Sequence, residues 1–276
     1  MYSLRPRFTR AFLVLLIGLA GLVPTLHSKD RTSTYQGEDL EHFLKVAEGI
    51  EFKEIGQGVT NPLKVTLELD GVRRYAVFKS IDVFEPGAHA VGQRWEFGFQ
   101  DSYKTEVAAY QIDRLLGLGM VPATVERLID GKRGSLQLWV DVLMSEADRM
   151  SDKVSPPDAL GWSCMTTDYA LFDSLIDNAD RHLNNLLITT DWEIALIDHS
   201  RSFRWSGELR NPEKLMRFST SRLEAITSLD ADQISESVGK YLSAVQIKGL
   251  LKRRDLILEL SREQVIARGE LVVLYP

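Results

Sequence analysis

The chain has 276 residues, of which 44% are hydrophobic and 26% are charged, and its formal net charge is −6. This composition is typical of a folded protein with one large domain or two small lobes, and it excludes a disordered chain. The acidic balance argues against nucleic acid as the main partner, because phosphate backbones bind basic surfaces. The single cysteine, Cys164, excludes an internal disulfide and a cysteine-based zinc site.

The first 28 residues have the layout of a secretory signal peptide or a membrane anchor. Three arginines and no acid precede an apolar run from Ala11 to Val23, and charged residues follow Ser28. By the positive-inside rule the N-terminus stays in the cytoplasm and the rest is exported. We therefore expect a periplasmic or extracellular protein, or one tethered to the membrane through residues 11–26, with residues 29–40 as a linker.

The segment from Leu63 to Ser80 has the pattern of a β-hairpin. Two β-rich runs flank an Asp-Gly dipeptide, which suits a type I′ turn, and Lys79 lies near the end of the second run. Just before this hairpin, Gly56 and Gly58 form a glycine turn whose backbone N–H groups could approach phosphates, because glycine has no Cβ to block them. An ordinary hairpin turn explains the same two glycines.

Residues 81–101 contain several glycines and a proline, and this pattern predicts a loop or an insertion. Ser102 is a predicted N-cap for a helix that runs from Tyr103 to Leu116. Glu106 lies in this helix, which could direct its carboxylate at Lys79 if the helix packs on the preceding sheet. The alternative is an ordinary surface glutamate.

Two further hairpins are predicted, the first over Thr124–Ile129 and Ser135–Val142. After a polar stretch the chain turns helical, and an apolar pattern predicts a helix over residues 167–176. The third hairpin places Asn185 at the start of one strand and Asp198 at the end of its neighbour. The ends of an antiparallel pair are adjacent, so these two side chains are predicted to converge.

From Asn211 onward the pattern is helical. Capping boxes at Ser243 and Ser261 predict the starts of two helices. The basic run over residues 252–254 is predicted to be a solvated helix face.

The loop between the predicted helix and the third hairpin contains two acids and three asparagines or histidines in close succession. Asp180 and Asn185 are five positions apart, which is the spacing of the kinase catalytic loop, where Asp handles the acceptor hydroxyl and Asn holds a metal ion. Asp177 is predicted to be a helix-end or loop residue. Taken alone, the stretch fits an Asp/Asn-rich turn equally well.

Four separate pieces occur in kinase order on suitable elements: Lys79, Glu106, Asp180-Arg181-His182-x-x-Asn185 and Asp198. The Asp-Arg-His-x-x-Asn run resembles phosphatidylinositol 3- and 4-kinases. The surrounding sequence segments resemble the secretory-pathway kinases of the Golgi casein kinase type. The matching segments are Glu106 to Leu116, Val121-Pro122, Gly134 to Leu136, Asn178 to His182, and Leu196 to Phe203.

The resemblance implies an α+β, two-lobed protein-kinase-like fold. A β-rich N-lobe with one main helix would cover residues 41–142, and a mostly helical C-lobe would cover residues 143–276. The implied cofactors are ATP and Mg²⁺ or Mn²⁺. The resemblance assigns the site residues as follows: Lys79 contacts the nucleotide phosphates and pairs with Glu106, Gly56 and Gly58 cover the phosphates, Asp180 orients or deprotonates the acceptor, and Asn185 and Asp198 hold the metal.

The implied activity is transfer of the γ-phosphoryl group of ATP to a hydroxyl of a protein Ser/Thr, a sugar or a lipid. The alternative is a nucleotide-binding pseudokinase that acts as a scaffold or regulator. Two departures from the family pattern motivate this alternative: Asp198 is followed by His199 rather than glycine, and the glycine turn is short. The chain also has one cysteine where the secretory kinases are rich in disulfides, and export conflicts with the expected lack of ATP in a bacterial periplasm.

Overall fold

The computed structural model describes residues 34–56, 62–91 and 94–276, apart from the side chains of residues 90–97. The first half is rich in strands: α1 (Glu38–Val46), β1 (Glu48–Glu54), β2 (Leu63–Leu69), β3 (Val72–Lys79), β4 (Asp82–Val91), β5 (Arg94–Ser102), α2 (Tyr103–Leu116), β6 (Thr124–Ile129) and β7 (Lys132–Leu138). The second half is mainly helical: β8 (Val142–Ser145), α3 (Glu146–Ser151), α4 (Ala159–Ile176), β9 (Leu186–Thr189), β10 (Ile194–Leu196), β11 (Phe218–Ser219), α5 (Thr220–Ser228), α6 (Ala231–Val238), α7 (Ala244–Arg268), α8 (Glu270–Val273) and β12 (Leu274–Tyr275). The predicted α+β class is confirmed.

The main sheet of the first half is antiparallel and has five strands in the order β1-β2-β3-β7-β6. The predicted hairpin of β2 and β3 is confirmed. Its turn has positive φ at both Asp70 and Gly71, as a type I′ turn requires. In the middle of the sheet β3 pairs with β7, where Lys79 lies opposite Ser135. Lys79 therefore occupies the end of a central, well-supported strand.

Residues 81–101 were predicted to form a loop or an insertion, and the loop alternative is wrong. They form the antiparallel hairpin of β4 and β5. The glycine and proline that suggested a loop lie where the pairing register breaks between Glu85 and Ala88, and Gly87 takes a positive φ there. Strand β5 leads directly into α2, so this hairpin positions the helix that carries Glu106.

Helix α2 begins and ends as its sequence predicts. The Ser102 side chain accepts a hydrogen bond from the Lys104 backbone N–H at 3.2 Å, and Gly117 ends the helix in the left-handed region. The buried side of the helix includes Ala108 and Ile112, both fully buried in the hydrophobic core. This packing fixes the rotation of α2 and hence the direction in which Glu106 points.

A buried carboxylate, Asp113, lies near the end of α2. It accepts hydrogen bonds from the backbone N–H groups of Gly119, Met120 and Val121 and from the Gln36 side chain. Burial raises the pKa of Asp113 to about 6, although these hydrogen bonds favour the ionised form. The Gln36 contact also shows that the described end of the predicted linker packs on this domain.

We expect the raised pKa of Asp113 to make the protein more stable as the pH falls from 7 toward 4. The folded state binds a proton near pH 6, whereas the unfolded chain binds it only near pH 3.9, so this contribution is lost as pH rises through 6 and amounts to about 3 kcal/mol. Denaturant unfolding of wild type and Asp113→Asn at several pH values measures this contribution. It is the difference between the two proteins in the slope of the unfolding free energy against pH. Equal slopes for the two proteins would contradict the expectation.

The second half begins with the three-stranded antiparallel sheet β8-β9-β10. The predicted helix over residues 167–176 is confirmed, but α4 starts eight residues earlier, because Asp158 caps it by accepting a hydrogen bond from Gly161 N–H at 2.9 Å. The capping box at Ser243 is also confirmed. The one predicted at Ser261 is wrong: Ser261 lies inside α7 and donates to the Leu258 carbonyl.

The prediction of a solvated basic face over residues 252–254 is wrong for Arg253, which is fully buried. Its Nε donates to the Leu175 carbonyl at 2.8 Å, and its Nη1 donates to the carbonyls of Arg204 and Ser206. Those carbonyls lie at the end of α4, where the last carbonyls of a helix have no partner within the helix, and in the segment after Asp198. Arg253 thus fixes that segment from behind.

Among the described residues, no helix is both long enough and apolar enough to cross a bilayer. The predicted signal or anchor lies in residues 1–28, outside the described residues.

Candidate active site

Lys79 lies between two carboxylates. Its Nζ is 2.6 Å from Oε1 of Glu106 and 2.8 Å from Oδ1 of Asp198, and only 16% of its side chain is exposed. Burial alone would lower the pKa of Lys79, but the charges of Glu106 and Asp198 outweigh it and hold the pKa above its ordinary value. The ammonium group is therefore charged and fixed in place.

Glu106 is the buried partner of this group, with 2% of its side chain exposed. Its second oxygen, Oε2, accepts a hydrogen bond from the His199 backbone N–H at 3.0 Å. Burial would raise the pKa of Glu106, but the charge of Lys79 and the contacts with His199 lower it below its ordinary value. A single ionised carboxylate thus joins β3 to the segment that follows Asp198.

Asn185 and Asp198 converge as the third predicted hairpin requires. Strands β9 and β10 pair so that Leu186 lies opposite Leu196. Asn185 precedes the first of these strands, and its Nδ2 donates to Oδ2 of Asp198 at 3.3 Å. Asp198 takes a positive φ of 61°, an uncommon conformation for a residue with a side chain. Its carboxylate therefore contacts both Lys79 and Asn185.

Asp180 lies in the loop after α4. Its Oδ1 is 2.7 Å from Nε2 of His182, and its Oδ2 is 2.9 Å from Nη1 of Arg201. About a third of the Asp180 side chain is exposed. Asp177 ends α4 in the left-handed region and is buried against Arg210, in agreement with its prediction as a helix-end residue.

Arg181 connects the Asp180 loop to the strand that ends at Asp198. Its Nε and Nη2 bind the two oxygens of Asp173 at 2.8 and 2.9 Å, and its Nη1 donates to the carbonyls of Ile197 and Asn185. A bidentate arginine–carboxylate pair is geometrically rigid. Asp180, Asn185 and Asp198 are thus held in one framework together with Lys79 and Glu106.

Three solved structures share this arrangement of elements. The structure of hydra Fam20 with sugar superposes with a TM-score of 0.62 at 16% identity, covering 86% of this chain and 91% of that chain. The Golgi casein kinase gives 0.60 at 17% identity, over 86% and 78% of the two chains. The Helicobacter pylori proinflammatory kinase CtkA gives 0.51 at 13% identity, over 82% and 98%. The chain has an atypical protein-kinase-like fold.

This kinase-like fold agrees with the resemblance to the Golgi casein kinase type that the sequence motifs indicated. Identities of this size establish the fold alone. The resemblance to phosphatidylinositol kinases stays a prediction. No protein-family model and no curated protein matches the sequence.

The donor set of this site fits a hard divalent cation. Asp198 offers a carboxylate and Asn185 an amide oxygen, and oxygen ligands of this kind suit Mg²⁺ and Mn²⁺. In the described ranges, no group of three or more His, Cys, Asp or Glu could hold a metal on its own. Mg²⁺ usually completes its shell with waters and phosphate oxygens, so two protein ligands are compatible with a nucleotide-dependent site.

The structure describes only part of the glycine turn that contains Gly56 and Gly58. Gly56 has φ 65°, which suits glycine, and a Cβ at this position would have nothing within 4 Å. Gly58 lies outside the described residues. The phosphate-covering role of the two glycines stays a prediction.

His199 follows Asp198, where the sequence resemblance implies a glycine, and it is completely buried. Its Nε2 accepts from Nη2 of Arg181 at 2.9 Å, so the ring hydrogen is on Nδ1, which faces Oε2 of Glu106 at 3.7 Å. Burial lowers the pKa of His199, so the ring is neutral. His199 therefore fills the space between two charged residues of the site without adding a charge.

Sequence reasoning missed the supporting residues of the site. Arg181 and Arg201 were named only as members of the matching sequence segments, and no role was predicted for Asp173 or Asp101. A buried arginine and a solvated one look alike in a single sequence. The available signal was position: each arginine follows an acid of the motif by one to three residues.

A separate cleft of about 370 Å³ opens between β4, the start of α2, and the loop before α7. Its walls include Phe84 and Trp205, whose rings stack 5.1 Å apart, and the side chains of Gln100 and Gln246. Of the predicted site residues that the structure describes, none lines it. The cleft is therefore distinct from the place where Lys79 and the acidic residues meet.

Proposed function

We propose that the protein is an ATP-dependent kinase that transfers the γ-phosphoryl group to a hydroxyl acceptor. The observation that carries the proposal is the contact of one partly buried lysine, Lys79, with both Glu106 and Asp198. The kinase-like fold supports it independently. In this arrangement a fixed cation for phosphates lies beside oxygen ligands for a metal.

In this proposal each residue has one task. Lys79 binds phosphate oxygens of the nucleotide, and Glu106 keeps its ammonium group in place. Asn185 and Asp198 would hold Mg²⁺ or Mn²⁺, which neutralises phosphate charge when bound. Asp180 orients the acceptor hydroxyl and receives its proton as the acceptor oxygen bonds to the γ-phosphorus and the bond to ADP breaks.

The acceptor belongs to the same proposal. A sugar, a protein Ser/Thr and a lipid head group all present a hydroxyl that this chemistry can phosphorylate. The hydra Fam20 structure was determined with a sugar, which supports including sugars in the first acceptors tested. Export or membrane tethering through residues 11–26 is also part of the proposal and is supported by the N-terminal sequence pattern.

The test is transfer of label from γ-labelled ATP by the purified full chain with Mn²⁺ or Mg²⁺ and a panel of hydroxyl acceptors. We expect wild type and Asp232→Ala, an exposed aspartate on α6, to transfer label and Asp198→Ala to transfer none above background. Equal label for wild type and Asp198→Ala would refute the kinase. Metal-dependent nucleotide binding without transfer would instead support the pseudokinase.

A further inference from the structure

Arg201 bridges two carboxylates from different parts of the fold. Its Nη1 lies 2.9 Å from Oδ2 of Asp180, and its Nε lies 3.2 Å from Oδ2 of Asp101 on β5. Its guanidinium group also packs over the ring of Phe99, 5.2 Å from the centroid. An arginine with three such contacts has a defined side-chain position, because planar guanidinium groups bind carboxylates in fixed geometry.

Asp101 is the buried end of this bridge, with 6% of its side chain exposed. Its other oxygen, Oδ1, is buried and has no hydrogen-bond partner among the described residues. A buried carboxylate is costly unless a cation accompanies it, and Arg201 is the cation that contacts it. The charge of Asp101 therefore holds Arg201 in place.

The same segment is also fixed to the start of α2. The Ser200 carbonyl accepts hydrogen bonds from Ser102 N–H and from Oγ1 of Thr105, both at 2.9 Å. Glu106 follows Thr105 directly and pairs with Lys79. Asp180 and the Lys79–Glu106 pair are therefore connected by a short, continuous series of polar contacts.

Arg181 anchors the backbone of the Asp180 loop, but the Asp180 carboxylate has little support besides Arg201. Its loop has no regular secondary structure, and its second side-chain partner, His182, is 68% exposed. An exposed contact of this kind restricts a carboxylate weakly. The direction of the Asp180 carboxylate depends mainly on Arg201.

We propose that Arg201 is a positioning residue that aims the Asp180 carboxylate at the acceptor hydroxyl and, through Asp101, links its position to β5 and α2. This proposal rests on the proposed kinase function for its catalytic consequence. Its structural consequence, the ordering of the Asp180 loop, does not depend on that function.

The experiment compares Arg201→Gln, Arg201→Lys, Asp101→Asn and the Arg201→Gln/Asp101→Asn double variant with wild type in the full chain. The matched control is Arg114→Gln: Arg114 is 35% exposed, close to the 34% of Arg201, and pairs with Glu41 at the far end of α2. Kinetics with saturating acceptor give kcat and the KM for ATP. Hydrogen exchange at the Asp180 amide, which bonds to Asn178, reports loop order without any activity.

We expect Arg201→Gln to lower kcat on the order of tenfold to a hundredfold and to change the KM for ATP by no more than about twofold. Arg201→Lys should recover part of the loss. The double variant should regain the stability that Arg201→Gln loses, since it removes the uncompensated Asp101 charge, without regaining kcat. Exchange at the Asp180 amide should be faster in Arg201→Gln than in Arg114→Gln.

A kcat for Arg201→Gln no lower than that of Arg114→Gln would overturn the proposal, as would recovery of kcat together with stability in the double variant. If wild type transfers no phosphoryl group, the kinase function fails, and the exchange measurement alone decides whether Arg201 orders the loop. Equal exchange in Arg201→Gln and wild type would then overturn the positioning role.

Discussion

Replacing Lys79 with methionine should destabilise the protein by roughly 3–5 kcal/mol and abolish nucleotide binding. Methionine fills most of the space of the lysine side chain but leaves Glu106, which is 2% exposed, as an uncompensated buried charge. It also removes the cation that would contact phosphate oxygens. Chemical denaturation measures the first effect, and titration with a fluorescent ATP analogue measures the second.

The control for Lys79→Met is the double variant Lys79→Met/Glu106→Gln. Removing the buried negative charge together with the positive one should restore most of the stability, because a neutral pair needs no counter-charge. Nucleotide binding should remain lost, since the cation is still missing. If the double variant regained binding along with stability, Lys79 would have only a structural role.

Asp180→Asn should lower kcat by roughly a thousandfold and leave the affinity for ATP nearly unchanged. The amide keeps the size of the carboxylate but cannot take the proton of the acceptor hydroxyl. Because Asp180 is about one-third exposed, the substitution should change the free energy of unfolding by less than about 1 kcal/mol. Steady-state kinetics with denaturation on the same protein separate these effects.

The neighbouring acid, Asp177, provides the matched control for Asp180→Asn. Asp177 is buried and pairs with Arg210 at 3.0 Å, so Asp177→Asn should destabilise the protein. The kcat per folded molecule should stay within about threefold of wild type, because a helix-end residue contacts no reacting group. A large loss of kcat in Asp177→Asn with little loss in Asp180→Asn would exchange the roles of the two acids.

The local pattern of the sequence predicted the elements that support the site. The Asp-Gly turn before Lys79, the Ser102 cap before Glu106 and the apolar strand before Asp198 each have a short-range physical cause, and each is present in the structure. A hairpin places Asn185 beside Asp198 without any long-range information. Nearest-neighbour geometry was enough for these residues.

Several of the residues that sequence reasoning missed depend on long-range packing. Arg201 reaches Asp101 across 100 positions of sequence, and Arg253 reaches Leu175 across 78. The β4–β5 hairpin was hidden because its glycine and proline are typical of loops, while its pairing partner supplies the strand geometry. No local pattern reveals such contacts, because what decides them is which surfaces meet after folding.

The burial of Arg253 has a consequence for how the chain folds. Because the arginine that satisfies the carbonyls of Leu175, Arg204 and Ser206 lies in the last helix but one, these groups gain their donor only when residues near 253 have been synthesised. Contacts of such high sequence separation form late and slow the folding reaction. The stretch around Arg204 and Ser206 therefore reaches its final order after translation has passed residue 253, and a ribosome-bound chain that stops before that residue should remain open to proteases at residues 204–206.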